Sequence, residues 1–493
     1  MSYRIGIIGG GVSGLSVAYF LEQASPELEL TIFETEDRIG GKVQTFRGPR
    51  GEVIEGGADS VLLRKDSPLE TLLMELGLAS EIITPLKRTF SVQREGTLHE
   101  VPLGMLQGMP KNLLALWQCS LFSLYGKIVA TMRGAYDLLF SPSLKGDPSI
   151  AATLRSRYGE EVSKYFFETV FGGIHSGNAD TLSFRSLYPD MANRKRAKGG
   201  KYHQARFISL RGGMGVLPER MQGALTRTTI ELSAAIERVI LTESGTYRVI
   251  TCSGAAAEFD EVIIATPAWA AANIVQELSP SLAERLSAIE HSSSAVVSMV
   301  LEGKHLAVSP KGSGYLLAPE EGGYVTGCTY SSEKWDFRRG SDPDTVLVRV
   351  FFGRNGGVAS VSDEELLSAA RKEIEKKLGY KNIPRYESLA RWERGLPQYA
   401  CGHAERLLQI TDEASTYKGL HFIGTSYRGV GIPDCVKESY VTAQKIVHER
   451  SESQIQLGAD NGISSSFPLK ESFENQHTTG DGQEEKYGTT ICA

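Results

Sequence analysis

The first thirty-four residues constrain the fold more than any other segment. Arg4-Ile5-Gly6-Ile7-Ile8 is a short apolar run of the kind buried in a parallel sheet, and it leads directly into Gly9-Gly10-Gly11-Val12-Ser13-Gly14. A helical rhythm follows from Ser13 to Gln23 (Leu15, Ala18, Leu21), and Leu28 to Phe33 alternates as a second strand. Two strands joined by a helix at this length form a right-handed βαβ unit. The glycines fit the pattern G-x-G-x-x-G. Gly9 permits the tight turn, Gly11 lets backbone approach a pyrophosphate, and Gly14 lets the helix pack against the strand. The helix N-terminus offers free N–H groups and a positive dipole end to phosphates. Glu34 ends the second strand, where a carboxylate binds ribose hydroxyls. A dinucleotide site in an α/β fold is the reading, with NAD and FAD both open at this point.

Arg38-Ile39-Gly40-Gly41-Lys42 separates the two. It resembles the R-x-G-G-[KR] element of amine-oxidase-like flavoproteins, in which an arginine and closely approaching glycine backbone hold FAD non-covalently. Three further segments fit the same plan. Gly56-Gly57-Ala58-Asp59-Ser60 brings small residues towards a flavin. Glu237-Arg238-Val239-Ile240, with Asp260 to Pro267, reads as a strand, an excursion and a return strand. Phe422 to Thr425 and Gly429-Val430-Gly431-Ile432-Pro433 join a strand to a helix whose N-terminus suits the flavin's N1–C2=O edge.

The bulk properties exclude other classes. A 493-residue chain with 41% hydrophobic and 23% charged residues can bury a large core, and a net charge of −6 argues against a nucleic-acid binder. The 6 cysteines show no metal-ligand or redox spacing, which with a non-signal N-terminus points to a reduced, cytoplasmic setting. The most apolar stretch, between Lys111 and Lys127, is broken by Gln118, Ser120 and Ser123, so at most peripheral membrane contact is expected.

Along the chain, Pro68 opens a helix that Gly77 ends, and Phe90 to Pro102 forms a hairpin around Glu95-Gly96. Met105 to Phe140 is helical. Strands are expected at Tyr247–Cys252, Glu261–Ala265, Ala295–Leu301 and Thr345–Phe352, and a capping box, Ser362 with Glu365, opens a helix closed by Gly379. The order implies a Rossmann-type FAD-binding domain (1–85, 211–290, 401–450) interleaved with a mixed-sheet substrate domain. The latter comprises a substrate-binding helical insertion (86–210) and a sheet (291–400), and a polar, serine-rich tail at 451–493 is read as disordered.

Outside the FAD frame, four segments resemble the protoporphyrinogen/coproporphyrinogen oxidase family. They are Phe171-Gly172-Gly173-Ile174-His175-Ser176-Gly177-Asn178, Ser209 to Met214, Arg391-Trp392 with Pro397-Gln398-Tyr399 and Gly402-His403, and Gly429 to Cys435. The resemblance spans about residues 3 to 448. It carries flavin contacts onto Gly9, Gly10, Gly11, Val12, Ser13, Gly14, Glu34, Lys42, Gly57, Ala58, Asp59, Ser60, Val239, Trp392, Gly431, Ile432 and Pro433, beside Arg38 and Gly41. Two departures stand out: Ser439 replaces a usual glycine, and Ala58 a frequent proline.

The resemblance implies oxidation of a porphyrinogen to the porphyrin in haem biosynthesis, with dioxygen as acceptor and hydrogen peroxide as product. Coproporphyrinogen III is slightly preferred over protoporphyrinogen IX because the chain lacks a membrane helix. The flavin carries that chemistry, so neither a catalytic triad nor a metal site is expected. For the substrate, Arg64 and Lys65 are read as propionate ligands, with a solvated helix entrance as the alternative. Gly172, Gly173 and Ile174 would admit a flat ring, unless they form a plain tight turn, and Tyr315 would wall the pocket, unless it packs in the core. The basic run Arg194 to Lys201 reads as a solvated loop, and His175 as a hydrogen-bonded structural residue before a proton shuttle. An amine-oxidase-like enzyme, a carotenoid-desaturase-like enzyme and a non-catalytic flavin sensor or porphyrin escort are the rival readings. A haem-pathway enzyme is the candidate protein partner, beside the porphyrinogen substrate and dioxygen.

Overall fold

The computed structural model describes residues 2–105, 113–140, 144–192, 205–354 and 357–460. The N-terminal βαβ unit is present as expected: β1 (Tyr3–Ile8), α1 (Val12–Ala24) and β2 (Leu28–Phe33). They sit in a five-stranded, wholly parallel sheet ordered Thr229–Glu231, β2, β1, Glu261–Ile264, Leu420–Phe422. Apolar strands suit this position because both faces are covered. Ile5, Ile7, Leu30, Ile32 and Ile263 pack on one side with Leu15 and Leu21 of α1 and with Val436 and Ile446. Ile8, Phe33, Val262 and Ile264 pack on the other with Val239, Val249 and Phe259.

The stretch around Val239 differs from a simple excursion between sheet strands. Ile236–Leu241, Tyr247–Thr251 and Ala256–Phe259 form their own antiparallel meander, and it is Glu261–Ile264 that returns to pair with β1. The meander's apolar face covers the parallel sheet, which is why its strands alternate in burial.

A second, seven-stranded mixed sheet runs Tyr386–Pro397, His291–Glu302, Thr345–Phe352, Val325–Tyr330, Gly314–Leu317, Phe90–Arg94, Thr97–Val101. The Phe90–Arg94 hairpin turns at Glu95 (φ 51°) and Gly96 (φ 76°), and its first strand pairs in parallel with Gly314–Leu317. The helical insertion follows as Leu113–Gln118 and Leu124–Phe140, interrupted at 119–123, then Ile150–Tyr158 and a run from Ser163 to His175 that begins as a π-helix. Among the described residues no helix is long and apolar enough to cross a membrane.

The C-terminal helix spans Ile432–Asp460 and packs along α1. The polar stretch from 451 thus starts as helix instead of leaving the fold. Pairs at i,i+4, Lys445–Glu449 at 3.7 Å and His448–Glu452 at 3.3 Å, support its solvent face. Residues 461–493 lie outside the described ones, as does the basic run Arg194 to Lys201. Ser439 has a specific task in this helix: its hydroxyl donates to the Ser13 carbonyl at 2.9 Å, tying the helix to the first turn of α1.

Candidate active site

The carboxyl ends of the parallel strands converge on one cavity of about 2440 Å³, lined there by Gly9, Glu34, Ala265 and Gly424. Pockets for a single small ligand usually measure about 300–1,000 Å³, so this one has room for a dinucleotide and a second molecule. It extends from the glycine loop to the helical insertion.

At the dinucleotide end, Gly9 takes φ +111°, and a Cβ there would stand 3.1 Å from the Ala265 carbonyl oxygen. A Cβ on Gly14 would meet the Gly9 carbonyl oxygen at 1.9 Å, so helix and strand touch through glycine alone. Gly11 is different: a Cβ built there has no protein atom within 4 Å, and its φ is an ordinary −74°. Protein packing does not require a glycine at that position. Glu34 is buried and accepts from Gly10 N at 2.7 Å and Glu36 N at 2.9 Å. The Arg38 guanidinium donates to Ile39 O and Gly41 O, and Gly40 N donates to Gly10 O at 2.9 Å, clamping this loop on the glycine turn.

In the middle of the cavity, Lys42 donates to Gly395 O, and burial lowers its pKa to about 8. A Cβ on Gly57 would stand 2.0 Å from Lys42 O, and Trp392 Nε1 donates to Gly56 O at 2.9 Å, so the Gly56–Ser60 loop is fixed from both sides. Beneath it lies a buried charge cluster absent from the sequence reading. Arg349 donates to Gly57 O at 2.6 Å, Arg338 to Asp59 O at 3.0 Å, and Lys334 lies 3.3 Å from the Asp59 carboxylate. Burial alone would raise the Asp59 pKa, but Lys334, Arg338 and Arg349 hold it well below the usual carboxylate range. The same burial pushes the Cys435 thiol, on the cavity wall, up to about 12.

Most of the expected site residues share this cavity: Gly9, Gly11, Val12, Ser13, Glu34, Arg38, Gly41, Lys42, Gly57, Ala58, Asp59, Ser60, Trp392 and Ile432 line it, as do Arg64, Gly173, Ile174 and Tyr315. Others stand behind the wall. Gly10 and Gly14 form the turn's own packing, Gly431 and Pro433 flank Ile432, and Gly172 lies behind Gly173. Val239 is fully buried in the meander core. Lys65 is exposed, one residue beyond Arg64 and off the wall. Gly172 to Ile174 are helical, within Thr169–His175, so the tight-turn alternative does not hold. Tyr315 is both core and wall: its ring is buried and its hydroxyl donates to Glu373 at 2.9 Å. The structure adds Lys87, Arg88 and Arg206 to Arg64 as cationic wall residues.

Strand ends that cradle a dinucleotide, opening into a second chamber walled by another sheet, define an FAD-dependent oxidoreductase. The sequence pattern described as "Flavin containing amine oxidoreductase" matches residues 12–447, and the chain belongs to that family, in its protoporphyrinogen/coproporphyrinogen oxidase branch. Its cofactor is FAD. It is 28% identical to the coproporphyrinogen III oxidase of Staphylococcus aureus over 91% of this chain and 100% of that one. It is 26% identical to human protoporphyrinogen oxidase over 91% and 99%. A solved structure from Exiguobacterium sp. 255-15, provisionally assigned as a protoporphyrinogen oxidase, superposes with a TM-score of 0.78 at 30% identity, over 91% of this chain and 99% of that one. Putrescine oxidase, at 18% identity and a TM-score of 0.64, shares the fold.

Proposed function

We propose that the chain oxidises a porphyrinogen to the corresponding porphyrin, with dioxygen as final acceptor and hydrogen peroxide released, as a step of haem synthesis. Coproporphyrinogen III is the preferred substrate, protoporphyrinogen IX the second. The observation that carries this reading is the single cavity, whose far half combines apolar walls (Tyr158, Phe166, Val170, Leu316) with the cations Arg64, Lys87, Arg88 and Arg206. A flat macrocycle with carboxylate arms needs that combination, and the names of the relatives agree with it.

FAD bound without a covalent link supplies the two-electron chemistry. Gly9 to Gly14 and Glu34 would hold its pyrophosphate and ribose, and Arg38, Gly41 and Lys42, the Gly57–Ser60 loop, Trp392 and the 431–433 helix start would hold the ring, with Val239 in the meander core behind them. Gly173 and Ile174 admit the substrate plane, with Gly172 behind them and Tyr315 on the sheet side. Arg64 and Lys65 take carboxylates, with Arg88 and Arg206 beside them. The apolar walls exclude water from the reacting carbon, and positioning does most of the protein's catalytic work.

Anaerobic mixing with each porphyrinogen tests the reading. Coproporphyrinogen III, and more slowly protoporphyrinogen IX, bleaches the flavin; under air about three peroxides form per macrocycle, because six electrons leave in pairs. Bleaching by an amine or a carotenoid precursor, with no response to either porphyrinogen, removes it, and no turnover with any substrate favours a sensor or escort.

A further inference from the structure

His175 closes the helix Thr169–His175 at the far half of the cavity, and the next residue, Ser176, turns the chain with φ 47°. Three contacts set the imidazole. Gln398 Nε2 donates to the His175 carbonyl at 3.0 Å, fixing the helix end. His175 Nε2 lies 2.9 Å from Tyr188 Oη, and the Tyr188 ring is itself packed against Phe171 at 4.8 Å and Phe184 at 5.8 Å. Both His175 and Tyr188 are more than nine-tenths buried and both form cavity wall. No hydrogen bond to the other ring nitrogen, Nδ1, is found among the described residues. Of the cavity's lining residues, Asp137 is a carboxylate of the helical insertion, and it pairs with Arg157 at 3.7 Å.

We propose that His175 is a catalytic base of the oxidation, taking the pyrrole N–H proton of the porphyrinogen on Nδ1, with Tyr188 as the residue that positions it. The proposal rests on the porphyrinogen reading. Each two-electron step must remove one hydride and one proton. The bridge C–H bond breaks with its electron pair leaving to the flavin acceptor, and the adjacent pyrrole nitrogen lone pair forms the new double bond towards the bridge carbon. That nitrogen is then cationic and its N–H strongly acidic; the N–H bond breaks, its pair stays on nitrogen, and the proton bonds to Nδ1. In the tautomer that carries its proton on Nε2 and donates it to Tyr188 Oη, Nδ1 has the lone pair this needs. The imidazolium afterwards returns its proton to cavity water. Burial lowers the His175 pKa to about 4, so the base form is present at neutral pH, and a weak base suffices for so acidic a proton.

His175→Gln keeps an amide near the Nε2 position for Tyr188 and removes the base at Nδ1. In single-turnover mixing with coproporphyrinogen III, general-base loss lowers the bleaching rate by about 10²-fold or more. FAD content and melting temperature stay as in the wild type, and the solvent deuterium isotope effect changes with the rate. A rate within twofold of wild type and an unchanged isotope effect overturn the proposal. Should His175→Gln lose FAD, Tyr188→Phe carries the test: slower bleaching at full FAD content supports it, and unaltered bleaching overturns it. A wild-type enzyme that no porphyrinogen reduces removes the substrate reading as well, whereas one that is reduced as fast as His175→Gln removes this proposal alone.

Discussion

Gly10 donates its backbone N–H to Glu34 Oε2 at 2.7 Å, so the glycine turn and the Glu34 carboxylate form one braced unit. Its two neighbours in the fingerprint have separable duties. Gly11→Val should leave the apo-protein folded, because a Cβ there meets no protein atom, yet strip FAD by occupying the ligand's approach. Gly14→Ala should act on the fold, since its Cβ falls 1.9 Å from Gly9 O; overpacking of this kind costs about 1–3 kcal/mol or more. Flavin absorbance per protein, together with the melting temperature of the apo-proteins, distinguishes the two.

Lys42 gives a pH signature. Desolvation lowers its pKa to about 8, so the free enzyme loses this positive charge as pH rises through that value. A bound anionic cofactor favours the charged form, and FAD affinity should therefore fall above pH 8. The linked effect on the apo-protein has the opposite sense. Between pH 8 and the ordinary lysine value the unfolded chain binds more protons, so stability contributed by this group rises with pH. FAD titrations from pH 6 to 10 should show the affinity step in the wild type and not in Lys42→Met.

Asp59 is the carboxylate on which Lys334 and Arg349 close, at 3.3 and 3.8 Å. Asp59→Asn leaves these buried cations without their counter-charge, a change that typically costs about 3–5 kcal/mol. Melting of the variant should fall by several degrees, and FAD should dissociate more readily because the Gly57 loop loses its foundation. An unchanged melting curve would mean that Glu55 alone balances the cluster.

These two lysines also mark what the sequence made legible. Lys42 could be placed because it belongs to a contiguous element that resembles the R-x-G-G-[KR] segment of amine-oxidase-like flavoproteins. β1, α1, β2 and the Ser362 capping box were legible on other grounds, all set by local periodicity and turn chemistry. Lys334 sits in no such pattern. Its partner Asp59 is 275 residues away, and only the packing of the two sheets brings them together. Arg349 did leave a trace, as a charge inside the otherwise apolar strand Thr345–Phe352, where burial demands a partner that the strand cannot supply. Arg88 and Arg206 were illegible for the same reason: the cavity wall joins segments distant in sequence. The start of the tail was misplaced because serine-rich composition does not distinguish a solvent-facing helix from a free chain.

Carboxylate recognition by the cavity's cations is the last testable point. Arg64 lines the wall half-buried, whereas Arg88 on the wall and Lys65 beside it are both exposed, so the three should contribute unequally. Losing a desolvated partner of a carboxylate costs about 2–5 kcal/mol, roughly thirtyfold or more in KM, whereas a solvent-exposed pair contributes about 0–1 kcal/mol. Arg64→Met is therefore expected to raise KM for coproporphyrinogen III well beyond tenfold at unaltered FAD content, and Arg88→Met by no more than a few-fold. Lys65→Glu separates the two geometries available to that lysine. If the side chain folds inward to a propionate on binding, charge reversal raises KM as strongly as Arg64→Met; if it remains in solvent, KM moves by no more than a few-fold and the increase weakens further in high salt. Steady-state kinetics at two ionic strengths decide between these outcomes, and unaltered KM in all three variants would place the propionates elsewhere on the wall.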